Sequence, residues 1–359
     1  MHQRLSKYLC RFFCGLALVL PALLQAQERE FLLFFSIEPA FNNITNETSF
    51  KREDYSVDAD IIYSYLNGRF HFLSEFIVST EETDLERFQI GLMASDQSMI
   101  WIGRFHSPAR YWNFTYHHGD FLQTSISRPF MDVVEDEGGI FPTHISGVML
   151  EKSINLKSMS ELQLSASLGV SSAFKQQMLK PFDLLKPEAG HQPAIDMRLA
   201  FLPDQLKENQ LGLTLGYADL SVIDSLQTMP ELEQVYQLFA SVYIDWKIDR
   251  WRVISSVANV RNRLNLKAET VRDNLQLSYI QAEFSIDKKW TGFTRLENIA
   301  GKNKSVYLSL FPDAIVNRQV AGVRLDLNQS QALSVELSRV QTIQQSFTQF
   351  LMQWSMVLP

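Results

Sequence analysis

The chain is almost without cysteine. Of 359 residues only Cys10 and Cys14 carry a thiol, and both fall within the first 26. The remainder therefore has no disulfide framework and no thiolate metal site. Long apolar runs are missing too. The one candidate, FFCGLALVLPALL, lies near the start, and nothing after it reaches the ~18 apolar residues a membrane-crossing helix needs. Helical periodicity is absent over any convincing length beyond residue 30. Excess positive charge is the last absence. Lys and Arg number 33 against 40 Asp and Glu, a net charge of −7. That balance argues against a nucleic-acid partner, which calls for a basic face.

What is present begins with a leader pattern. Arg4, Lys7 and Arg11 precede the apolar run, and LQA, ending at Ala26, supplies a small-residue processing site. Residues 1–26 are expected to be a secretory signal peptide, leaving 27–359 as the exported chain. Removing the leader takes away both cysteines and three cations, so the exported part is more acidic than the whole.

From residue 30 onward the apolar period is two. ELQLSASLGV places Leu162, Leu164, Ala166, Leu168 and Val170 on one side; NQLGLTLGY, VYQLFASVYIDWK and SQALSVELSRV repeat the pattern. Such alternation marks strands with one apolar face. The other strands fall at about 30–41, 56–66, 69–80, 86–95, 98–106, 143–152, 195–202, 250–260, 274–286, 289–298, 318–327 and 345–358, about sixteen in all. The 274–286 segment changes parity near Tyr279–Ile280, which predicts a bulge. SVYLSLF (305–311) breaks the alternation if counted as a strand and is placed in a loop. Tight polar links (67–68, 95–97, 249–250, 287–289, 328–331) alternate with longer ones (42–55, 107–142, 171–194, 222–233, 261–273, 299–317).

Short turns at one end and long loops at the other point to an all-β, transmembrane antiparallel β-barrel of about sixteen strands. A soluble sandwich gives the same alternation, but its strands are shorter, nearer 5–6 residues. Tyr217 and the tryptophans Trp101, Trp246, Trp251, Trp290 and Trp354 lie near strand ends, where a membrane-interface girdle belongs. With the signal peptide, the alternating strands and a last strand ending QWSMVLP, the chain resembles the bacterial outer-membrane porin superfamily. It is most similar to the phosphate-selective porin type and related porin-like proteins. The resemblance implies an outer-membrane location, assembly by the barrel-assembly machinery, a homotrimer, and a segment after the fifth strand that folds inward and narrows the pore. GRFHSPARYWN opens that segment, residues 107–142. The chain departs from the pattern by ending in Leu-Pro rather than an aromatic. It also carries DVVEDEG in the candidate constriction, so phosphate selectivity is not carried over.

The stretch Gly103–Pro129 is crowded with chemistry-bearing residues. Catalysis would need Ser125 or Ser127 beside His117 or His144 and an acid such as Asp132, but no nucleophile-elbow spacing joins them. A metal site would combine His106 with His117 or His118 and Asp120. Adjacent residues on a strand diverge, and no ligand-directing spacing is present. The pore-lining reading needs less. Tyr111, Trp112, Phe114 and Tyr116 pack the segment against the wall; Arg104 and His106 face the lumen; Arg110 and Arg128 pair with Asp132, Glu135, Asp136 or Glu137. Arg295 and Arg324 add wall charge on inward parity. The expectation is a porin that passes small polar solutes by diffusion, with outer-membrane lipid around it and no catalytic residue, cofactor or metal. A closed barrel that binds a ligand or partner through 107–142 is the second reading, and an outer-membrane enzyme the third.

Overall fold

The computed structural model describes residues 28–44, 51–80, 83–116, 120–135, 138–157, 159–176, 178–224 and 226–359. The expected signal peptide lies outside the described residues, as do His117, His118, Asp136 and Glu137. The first strands are β1 (Glu28–Ile44), β2 (Lys51–Asn67), β3 (Phe70–Ser79), β4 (Thr83–Ser95) and β5 (Ser98–His106). After the 107–142 segment come β6 (His144–Asn155) and β7 (Glu161–Val170), then a small hairpin, β8 (Ala173–Lys175) and β9 (Met178–Lys180). β10 (Pro193–Leu202), β11 (Gln210–Ser221), β12 (Leu232–Ile248), β13 (Trp251–Leu266) and β14 (Thr270–Ser285) follow. β15 (Trp290–Ala300), β16 (Ile315–Asn328), β17 (Gln331–Thr342) and β18 (Ser346–Leu358) complete the order.

Sixteen of these strands pair antiparallel in sequence order, and β18 returns to pair with β1. The β8–β9 hairpin stands apart from the ring. Closure leaves no sheet edge to aggregate. The outward parity carries an apolar band: Ile102, Leu168, Val242 and Val257 are each about 60% exposed to solvent in the isolated chain (62, 60, 60 and 59%). Residues 305–311 are not a strand; they form part of the loop between β15 and β16, with one 3-10 turn at Leu308–Leu310.

The inner face is not uniformly polar. Along β13 and β14 the half nearest the short turns puts Arg252, Ser256, Gln281 and Glu283 inside and Trp251, Val253, Val257, Ile280 and Phe284 outside. The other half is inverted. Val260, Leu264, Leu275 and Leu277 are fully buried inside, whereas Asn259, Arg261, Arg263, Arg272, Asn274 and Gln276 face out. The expected bulge near Tyr279 is therefore corrected: pairing of β14 with both neighbours runs without a register shift, and the parity change is this inversion of polarity. The same inversion hid the strand ends. The 261–273 link reduces to residues 267–269 between β13 and β14.

The inverted half is filled by loops. Tyr307, Leu308, Leu310 and Phe311 from the β15–β16 loop meet Phe130, Met131, Ile140 and Phe141 from the 107–142 segment. Phe174 and Leu179 of the small hairpin join them over Phe239, Val260 and Ile299. Burial of these rings and branched chains, each worth ~1.5–3 kcal/mol, closes one side of the barrel mouth with an apolar core.

Candidate functional site

The segment after β5 begins at a backbone irregularity. Gly103 has φ 139°, and a Cβ there would lie 2.0 Å from the Phe88 carbonyl oxygen. Only glycine fits this close approach of strands. Beyond it Arg104, Phe105 and His106 are all buried, so the in–out alternation ends where the segment leaves the wall. Arg104 donates to Asp84 Oδ2 at 3.1 Å and lies 3.8 Å from Glu86, which is 2.8 Å from His144 Nε2. The His106 ring lies 4.8 Å from that of His144, with its Nε2 3.6 Å from Glu75. A register shift at Glu75/Phe76 brings Arg87 onto Glu75. These groups form a buried charged root for the segment.

A single short helix, α1 (Tyr111–Tyr116), follows. Its rings cross to the far wall. Tyr111 stacks on Tyr243 at 4.2 Å and donates to Asp245 Oδ2 at 2.6 Å, while Arg252 donates to Tyr116 Oη at 2.9 Å. Trp112 is fully buried against Tyr116 and Tyr279, and its Nε1 donates to Gln123 Oε1 at 2.8 Å. Burial and the Asp245 charge hold the Tyr111 hydroxyl well above its ordinary pKa. Ser107 donates to Asp196 on β10, so the start of the segment is fixed as well.

Residues 120–130 then run along β14–β18 and β1, clamped from the wall. Glu336 accepts from the Ile126 and Ser127 amides, each at 3.1 Å, and from the Ser127 hydroxyl. Glu297 accepts from the Phe130 amide at 2.6 Å, and Glu283 from Thr124 Oγ1 at 3.0 Å. In the opposite sense Arg295 donates to the carbonyls of Ser127 and Arg128, Arg318 to that of Arg128, and Arg324 to those of Phe121 and Gln123. Asp120 accepts from Ser36 on β1 at 2.7 Å and from Gln353 on β18 at 3.3 Å. Wall carboxylates satisfy the segment's amides and wall guanidiniums its carbonyls. This settles a backbone that would otherwise be buried unpaired.

These contacts fix where the expected residues stand. Arg295 and Arg324 are on the inward parity but are 0 and 9% exposed, because they are spent on the segment's backbone. Arg110 lies between the rings of Phe141 and Phe239, its Cζ 4.5 and 3.9 Å from their centroids, and donates to the Pro142 carbonyl. Burial lowers its pKa, opposed by Asp196 and Asp132. Arg128 donates to Asn113 Oδ1 at 3.0 Å, and its expected partners Asp136 and Glu137 lie outside the described residues. Burial raises the Asp132 carboxyl to about 7, against the pull of Arg110 and Arg128. Glu135 sits instead at the root of the segment. It accepts from the Thr143 amide and hydroxyl, from the His144 amide and from Ser172. Burial raises its pKa, but His144 and these bonds outweigh that and the net shift is downward. Arg104 and His106 are buried in the root and do not stand free in a lumen.

Trp101 is also corrected. It is turned inward, 5% exposed, beside His71, with Nε1 donating to Glu151 Oε2 at 2.7 Å. Trp246, Trp251, Trp290 and Trp354 lie on the outward parity near the short-turn end, Trp251 and Trp290 being the most exposed. The serines weighed for catalysis are clamp groups: Ser125 donates to the Ser127 carbonyl and accepts from Arg295, and Ser127 donates to Glu336. Asp120 is committed to Ser36 and Gln353, and among the described residues no group of three or more His, Cys, Asp or Glu is placed to hold a metal ion. Arg252, Asp245, Glu283 and Arg318 were not singled out from the sequence. Their inward parity was readable, but each has a partner more than 100 residues away in the segment, and Arg318, Arg252 and Asp245 also pair along the wall.

No known sequence family and no curated protein matches the chain. Solved structures do. The chain is similar to an anion-selective porin from Comamonas acidovorans at TM-score 0.61 and 9% identity, covering 93% of this chain and 100% of that one. It is similar to Salmonella typhi OmpF, solved with daunomycin, at TM-score 0.58 and 9% identity, over 92% of this chain and 98% of that one. The outer-membrane channel DcaP of Acinetobacter baumannii matches at TM-score 0.54 and 9% identity, over 92 and 97% of the two chains. The chain has the closed-barrel fold of the outer-membrane porins.

Proposed function

We propose that the chain is an outer-membrane porin with a narrow passage, carrying small hydrophilic solutes by passive diffusion and making or breaking no bonds. The observation that carries this is the one-sided path of the 107–142 segment. It binds the inner faces of β10, β12–β18 and β1, and among the described residues its hydrogen bonds reach none of β2, β3, β4 or β7. Among the described side chains of that region, Asp58, His71, Glu151, Ser153, Glu161 and Gln163 stay half-buried on the inward face. The described inward cation there, Arg87, is paired with Glu75. An acidic wall opposite a segment that consumes the remaining wall arginines favours cations. Four outward tryptophans at the short-turn end and the apolar band above them suit lipid contact. The porin likeness agrees with a homotrimer and with insertion by the barrel-assembly machinery.

Planar-bilayer recording tests this reading. Small, stable steps with a reversal potential favouring potassium over chloride are expected, and Glu151→Gln with Glu161→Gln should move that potential toward zero. Steps that prefer chloride would refute the charge assignment. A second reading, a closed barrel that binds a ligand, draws on the apolar core that roofs β11–β16. Absence of any stable current from folded protein would select it.

A further inference from the structure

The polarity inversion of β13 and β14 leaves a built patch on the outside of the barrel. Strand register lays it out in two rows. Tyr217, Leu238, Arg261 and Asn274 stand side by side on β11–β14. One step further from the short turns stand Asp219, Tyr236, Arg263 and Arg272. A groove of about 610 Å³ opens over these residues. Arg263 and Arg272 are direct cross-strand partners, and like charges so placed repel. Arg263 is held over the Tyr236 ring, Cζ 4.3 Å from its centroid. All three arginines are exposed; of the carboxylates beside them, Asp219 accepts from Gln234, and Asp273, which lines the groove, is turned inward to accept from Ser305 Oγ at 2.5 Å and the Tyr307 amide at 2.9 Å.

Height identifies the occupant. Trp251 marks the tryptophan level on β13, and Arg261 and Arg263 lie ten and twelve residues above it. At ~3.4 Å per residue and a strand tilt of about 40°, that is roughly 26–31 Å. An apolar band is about 25 Å tall, so the arginines stand at the opposite rim. The row two steps below Arg261 is Leu213, Val242, Val257 and Ser278, a surface for an acyl chain.

We propose that this patch binds the phosphorylated headgroup of an outer-leaflet glycolipid, with a phosphate bridging Arg263 and Arg272 and contacting Arg261. Arginine forks match phosphate oxygens in pairs, and a multiply charged anion removes the repulsion between the two opposed guanidiniums. The committed source is a lipid because the groove faces away from the lumen and stands above the apolar residues Leu215, Ala240, Leu213, Val242 and Val257, with Asn259 and Gln276 the polar members of the row between. The proposal rests on insertion of this barrel in the outer membrane.

The test uses the full barrel in detergent, wild type and an Arg261→Gln, Arg263→Gln, Arg272→Gln variant. Each is titrated with diphosphoryl lipid A, with dephosphorylated lipid A and with inorganic pyrophosphate, and bound lipid is counted by native mass spectrometry. Wild type should prefer the diphosphoryl form about tenfold or more, and the variant should lose that preference with its bilayer conductance unchanged. Equal binding by the variant overturns the proposal. Competition by pyrophosphate at the same concentration as lipid assigns the groove to a soluble anion, and a changed oligomeric state with unchanged lipid binding assigns it to a contact between copies. Either result overturns the proposal too. Loss of conductance in both proteins would instead count against the porin reading, and the lipid titration in micelles would still decide this one.

Discussion

Replacing Glu336 with alanine removes one wall clamp from the 107–142 segment. The carboxylate is fully buried and accepts three hydrogen bonds, from the Ile126 and Ser127 amides at 3.1 Å and from the Ser127 hydroxyl. Bonds to a charged acceptor each contribute ~1.5–3 kcal/mol net, and removing one side of a buried charged contact costs about 3–5 kcal/mol. The lower figure applies here, because the freed amides can recover water. Arg295, Glu297 and Arg324 still hold the flanks, so the expectation is a loosened turn over 123–128 inside an intact barrel. Two readouts follow. Open-channel current should become noisier and larger, and trypsin should gain access to Arg128 in folded protein. Retained resistance of the barrel to unfolding by detergent at room temperature checks the fold. Glu336→Gln keeps an acceptor oxygen but turns an amide group toward three donors, so it should fall between. Current noise and tryptic protection identical to wild type would refute the clamp.

Gly103→Ala places a methyl group 2.0 Å from the Phe88 carbonyl oxygen at φ 139°, and should sharply lower the yield of folded barrel, read as the heat-modifiable band on a gel. Asp132, lifted by burial to about 7, keeps its proton in the folded chain over a range where an unfolded carboxyl, near 3.9, has lost it. Stability should therefore fall as pH rises from about 4 to about 7 and then level. Asp132→Asn should flatten the dependence of thermal unfolding on pH between about 4 and about 7, and an unchanged slope would discard Asp132 as the cause. Tyr111→Phe removes the donor to Asp245 while leaving the ring stacked on Tyr243, a loss of ~1–2 kcal/mol measurable by thermal unfolding.

The barrel was legible because a wall strand has one face against each medium, so period two survives in residues such as Leu211, Leu213 and Leu215. Legibility failed where both media change. On upper β13 and β14 the interior is apolar core and the exterior polar, and Leu275 with Arg272 reads like a parity error. Trp101 misled for a related reason: an aromatic near a strand end suits an interface, but this one pairs with Glu151 inside. That an aromatic-rich segment follows the fifth strand was readable in the sequence. Its charge partners were not, since Glu336, Glu297 and Arg295 bond to main-chain atoms of Ser127, Phe130 and Arg128, and a backbone group has no signature in sequence.

Asp120 touches β1 through Ser36 and β18 through Gln353, the two strands whose meeting shuts the cylinder. One carboxylate thus reports on whether the first and last ribbons have met in the right alignment. A slip of two residues along that seam would keep every side chain on its own face yet carry Gln353 and Ser36 apart. The two Asp120 bonds are therefore compatible with one alignment of the seam, and a residue from the inner segment ties the two strands that close the ring.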